Sequence, residues 1–109
     1  MINKRKLLIV MLLLLFQNVS ADVSAPFKIN SIRAVSNGSF QITADATINT
    51  ACSDGNFLHI WINQAGVNAD GASAMLATAL TALTTDKSVV VNYDPSSINC
   101  WVDAISISK

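Results

Sequence analysis

The hydrophobic period of this chain switches between two values, and the switch limits the fold more than any other feature. Phe40, Ile42, Ala44, Ala46 and Ile48 alternate with Gln41, Thr43, Asp45 and Thr47, the two-residue period of a strand with one apolar and one wet face. Met75, Leu76, Ala79, Leu80 and Leu83 instead recur at spacings of three and four, which places one apolar stripe on a helix. A chain carrying both patterns has to cover sheet with helix, so the expected class is mainly β with an α+β arrangement.

The other segments extend the same pattern. Asp22 to Pro26 reads as a loose lead-in, since Pro26 cannot donate to a sheet. From Phe27 through Ile29 and Ile32 to Val35 the apolar residues keep a two-residue beat with one slip, as in a bulged strand. Ser36-Asn37-Gly38-Ser39 supplies hairpin chemistry before the clean strand that starts at Phe40. Asn49 to Asn56 is a polar break, and Phe57 to Ile62 is apolar on both faces, which predicts a central strand covered on two sides.

After the loop Asn63 to Gly71 a helix is expected from about Ala72 to Thr85. Asp70 is its expected N-cap and Asp86-Lys87 its exit. The stripe Met75, Leu76, Ala79, Leu80 and Leu83 should be buried, with Thr78, Thr81 and Thr85 toward solvent. Val89, Val90, Val91 and Tyr93 form a short strand ended by Asp94-Pro95-Ser96-Ser97. The last strand runs from about Cys100 to Ser108, with Trp101, Ile105 and Ile107 on one face and Val102 and Ala104 on the other. Five strands with one helix between strands 3 and 4 is the order of an OB-fold-like barrel. A two-layer α+β sandwich is the alternative.

The N-terminus sets the compartment. Lys4, Arg5 and Lys6, the apolar run Leu7 to Phe16, polar Gln17 and Asn18, and then Val19-Ser20-Ala21 read as a signal peptide, residues 1–21, cleaved after Ala21. The apolar run is shorter than the roughly 20 residues a bilayer span needs. Residues 22–109 then form a single small domain, secreted or periplasmic, with no membrane span in the mature form. Four basic residues (Lys28, Arg33, Lys87, Lys109) stand against seven aspartates there, a net charge of 4 − 7 = −3, which gives nucleic acid no electrostatic footprint.

Cys52 and Cys100 are the only cysteines, and an oxidising compartment makes them a disulfide candidate. Closing that loop would remove chain entropy worth about 4 kcal/mol. Two buried free thiols are the alternative. One histidine and two distant cysteines lack the spacing of a zinc site, and no cofactor motif is present, so neither metal nor cofactor is expected.

Catalytic groups are scarce. His59 is the lone side chain with an unperturbed pKa near neutrality, and no nucleophile-elbow, zincin, Walker or dinucleotide motif occurs in residues 22–109. Asp54, Asp70 and Asp94 sit in turn contexts, where a carboxylate serves the local backbone. The expectation is a protein that is not an enzyme. His59 shares a strand face with Phe57 and Trp61, opposite Leu58, Ile60 and Ile62. Trp61 and Trp101 each have a polar or ionisable neighbour two residues away, His59 and Asp103. An aromatic ring beside polar groups on a sheet can stack on a sugar or anchor a protein partner, so these four are the candidate ligand-binding residues. Core packing is the competing role for the two indoles.

Cys52 before the strand Phe57 to Ile62, the alanine- and leucine-rich segment Ala72 to Leu80, Lys87-Ser88-Val89-Val90-Val91 and Cys100 before the last strand resemble a family of small exported bacterial proteins. They are similar, more distantly, to the B subunits of subtilase-type AB5 toxins. The resemblance implies an OB-fold, a disulfide and, for the toxin members, homo-oligomeric rings that bind cell-surface glycans. The functional expectation is an exported non-catalytic binding domain whose partner is a carbohydrate or a protein. A structural or inhibitory periplasmic protein binding one protein partner is the alternative.

Overall fold

A computed structural model describes residues 21–109, so all but Ala21 of the expected signal peptide lies outside the described residues. The elements in chain order are β1 (Asp22–Val23), β2 (Ile29–Ala34), β3 (Phe40–Ala44), β4 (Phe57–Ile60), α1 (Ala69–Thr84), β5 (Ser88–Asp94) and β6 (Trp101–Ser108). Six strands make one sheet in the order β1-β5-β6-β4-β3-β2. Every pairing is antiparallel except β4 with β6, which run parallel with His59 beside Trp101. Among the described residues the class is therefore mainly β sheet with one α-helix, and six strands where five were expected.

The additional strand comes from the supposed lead-in. Asp22 and Val23 pair with Tyr93 and Asn92 of β5, and Phe27 makes a further bridge to Val89 on the same strand. The chain then turns away and pairs as β2 with β3. One N-terminal segment thus lies along β5 at one end of the sheet and along β3 at the other. A bulge between Ile29 and Ser31 falls in the stretch where the chain passes from one to the other.

Alternation decides which side of the sheet is dry. Phe40, Ile42 and Ala44 of β3, Leu58 and Ile60 of β4, Val89, Val91 and Tyr93 of β5 and Val102 of β6 are buried on the inner face. Helix α1 covers that face, packing on β6, β2 and β5. β3 stops at Ala44, four residues short of the alternating run, because Asp45 and Ala46 form a bend and Ala46 is exposed.

Three expectations need correction. β4 ends at Ile60 and is not buried on both sides: Leu58 and Ile60 are inside, while Phe57 and His59 are only half-buried on the outer face. Aromatic residues that cover one another on a surface look, in sequence, like a second core face. The helix starts earlier than expected, with Asn68 rather than Asp70 as N-cap, its Oδ1 accepting from Gly71 N–H at 2.7 Å. Its buried face is Ala72, Ala79 and Ala82, with Met75 and Leu76 packed at the rim, whereas Leu80 and Leu83 are 45% and 38% exposed. Alanines let the helix axis approach the sheet closely, and Leu80, one residue beyond Ala79, is rotated about 100° off that line. Thr81 and Thr85 face solvent and Thr78 is half-buried, each hydroxyl donating to the carbonyl four residues back.

The third correction concerns β6. Ala104 pairs with Asn92 and Val102 with Tyr93, so Asp103 is the unpaired residue of a bulge. The bulge reverses the alternation. Val102, Ile105 and Ile107 share the inner side of the ladder with Tyr93, Val91 and Val89, and Trp101 is left on the outer face, apart from Ile105 and Ile107.

Candidate functional site

The outer face of the sheet gathers side chains that are far apart in sequence. Register places Arg33 of β2 opposite Gln41 of β3, Gln41 opposite His59 of β4, His59 beside Trp101 of β6, and Trp101 opposite Asp94 of β5. Directly paired residues project from the same side of a sheet. One row therefore crosses five strands in the order cation, amide, imidazole, indole, carboxylate. Gln41, His59, Trp101 and Asp94 are half-buried and Arg33 is exposed.

Three rings form the centre. His59 and Trp101 are 6.0 Å apart between ring centroids at 71°, an edge-on contact, and Trp61 lies 6.3 Å from His59 and 6.4 Å from Trp101. All three separations fall within the range of favourable aromatic pairs. Each ring remains half-buried, so the cluster is a surface platform and the indoles are not part of the buried core.

The disulfide leads directly into this platform, since Cys100 precedes Trp101. Cys52 and Cys100 are bonded, with 5.5 Å between their Cα atoms, and both are buried. Ser53 N–H donates to the Ile98 carbonyl at 2.8 Å beside the bond. Cys100 takes the left-handed conformation at φ 44°, which non-glycine residues hold only where their surroundings over-determine them. The residue before it offers its carbonyl to His59, with 2.6 Å between Nδ1 and Asn99 O. A carbonyl can only accept, so Nδ1 carries the hydrogen, and in the neutral ring Nε2 keeps a lone pair. The residue after Cys100 is Trp101 itself.

Of the four expected ligand-binding residues, His59, Trp61 and Trp101 come together. Asp103, the fourth, is the exposed, unpaired residue of the bulge in β6, two residues beyond Trp101. Gln41 and Asp94 were not foreseen. Gln41 carries only the polar half of an alternating run, and its place beside His59 depends on a pairing between strands. Asp94 looks in sequence like a turn carboxylate, and it is one: Ser96 N–H donates to its Oδ1 at 2.9 Å. That backbone bond, and then the Ser96 hydroxyl, hold the Asp94 carboxyl below its ordinary pKa.

Among the described residues no group of three His, Cys, Asp or Glu side chains could hold a metal ion, and no helix is long and apolar enough to cross a membrane. No protein-family model matches the chain, and no curated protein matches it either.

Proposed function

We propose that this chain is an exported, non-catalytic binding domain that takes carbohydrate on the outer face of its sheet. The observation that carries the proposal is the half-buried platform of His59, Trp61 and Trp101, flanked in its row by Gln41 and Asp94. A sugar ring has an apolar C–H face and a rim of hydroxyls. Indole faces suit the first, and an amide and a carboxylate suit the second. A non-catalytic role is supported by the sequence of residues 22–109, which carries no nucleophile-elbow, zincin, Walker or dinucleotide motif. Export is supported by the buried disulfide, which fits an extracellular or periplasmic compartment.

The fold we propose is the OB-fold-like barrel. Its support is the helix between β4 and β5, the parallel β4–β6 pair, and the N-terminal segment that reaches β5 through Phe27 and β3 through β2. On this view β1 and β2 are two halves of one bent strand. A protein partner is the second reading, favoured by Leu80 and Leu83 left open on α1, and would make the chain a structural or inhibitory periplasmic protein. Glycan-array binding of the purified protein, with Trp61→Ala and Trp101→Ala variants that retain their circular dichroism, separates the two. The expected result is a glycan signal that each variant lowers at least about tenfold. Folded variants with undiminished glycan binding would remove the platform from consideration.

A further inference from the structure

We infer that the sugar taken by this face is neutral or carries an amino group, and that Asp94 is the residue deciding it; the inference rests on the carbohydrate reading above. Charge is distributed unevenly around the rings. Asp94 is the direct cross-strand partner of Trp101, so their Cβ atoms lie roughly 5 Å apart on the same side of the sheet. The Ser96 N–H bond to Oδ1 fixes the carboxylate in that position. Asp103, exposed at the bulge, adds a second negative charge on the strand that carries Trp101.

Among the described residues no lysine or arginine balances them nearby. Arg33 is in the same row but two strands from His59 and three from Trp101, which at the usual strand spacing is about 10 Å and about 15 Å. That is a Debye length or more at physiological salt. Lys28 is paired with Asp86 at 3.1 Å, Lys87 follows α1, and Lys109 ends the chain beyond the far end of β6 from Trp101. A sialic acid, uronic acid or sulfated sugar stacked on Trp101 would bring its anion against Asp94 with no lysine or arginine of the described residues beside it. A neutral sugar there offers hydroxyl donors to the carboxylate, and such charge-assisted bonds are the stronger kind. An ammonium group on the sugar would be paired directly.

Glycan-array binding of the full exported protein, comparing neutral and amino-sugar glycans with sialylated, uronate and sulfated ones, tests this. The expected pattern is at least about tenfold preference for the neutral and amino class. Asp94→Asn keeps an Oδ1 acceptor for Ser96 N–H, and should weaken neutral binding about tenfold while narrowing the gap between classes. Should that variant not fold, a salt series on the wild type decides: binding of acidic glycans should rise as salt screens the repulsion, and neutral binding should change little. Acidic glycans bound as well as neutral ones, or a folded Asp94→Asn variant unchanged toward both, would overturn the inference and leave the carbohydrate reading standing. Wild-type protein that binds neither class would overturn the carbohydrate reading and this inference with it.

Discussion

Leu58 and Leu80 are the same side chain in two surroundings. Leu58 is fully buried between strands, and Leu80 is 45% exposed on α1. Leu58→Ala should cost about 2 to 5 kcal/mol, as deep core truncations do. Leu80→Ala should cost under about 1 kcal/mol, and urea midpoints for the two variants measure the contrast. Gly55 is constrained twice, by a φ of +78° and by Thr47 Cγ2, 3.1 Å from where a Cβ would stand. Gly55→Ala should therefore destabilise by about 1 to 3 kcal/mol in the same assay. The carboxyl of Asp94 is held below its usual pKa by Ser96. Its contribution to stability is then complete above the unfolded-state pKa and is lost as pH falls through the folded one. Acid unfolding followed by circular dichroism should show a shallower acid limb in Asp94→Asn than in the wild type.

At the scale of elements, α1 is finished at both ends by local chemistry. Asn68 caps the start, and Asn68→Ala should lower the thermal stability by the equivalent of about 1 kcal/mol. At the other end Lys87 N–H reaches the Ala82 carbonyl and Asp86 N–H the Leu83 carbonyl, with Asp86 left-handed at φ 55°. These are the two bonds of a Schellman cap, made without the usual glycine. The existence and type of this helix were legible in the three-and-four spacing, but its buried face was not. Leucine is larger than alanine, so the stripe through Leu80 and Leu83 looks like the core line. The sheet selects Ala72, Ala79 and Ala82 because close approach of the axis leaves room only for small side chains. β6 teaches the same point with period two. Alternation assigns Trp101, Ile105 and Ile107 to one face, and one unpaired residue, Asp103, cancels that assignment for Trp101.

Over the whole molecule, two connections of long sequence separation tie the sheet together. One is the N-terminal segment shared between β5 and β3, with Phe27 buried at its bridge to Val89. The other is the disulfide, which joins residues 48 positions apart. Opening it should cost about 4 kcal/mol through unfolded-state entropy. A Cys52→Ser, Cys100→Ser double variant should therefore lose that much in denaturant titration. It should also show altered tryptophan fluorescence, because Cys100 leads directly into Trp101 and is preceded by the carbonyl that holds His59. Intact mass under alkylation gives a direct check: no thiol should be reactive until the protein is reduced.

Local periodicity and turn chemistry suffice for the strands from Phe40, Phe57, Ser88 and Trp101, for one helix between the third and fourth expected strands, and for the cysteine pair as a staple, since each depends on near neighbours or on a count of two. Sequence also singles out His59, Trp61 and Trp101, by residue type. Tertiary structure alone decided that their rings meet, that Gln41 and Asp94 flank them, and that Asp103 is the unpaired residue of a bulge. The physical reason is register. Which residues become neighbours across strands is set by where each ladder begins and where a bulge shifts it, and those offsets are fixed by packing of the inner face against α1, a face on which none of the three rings sits.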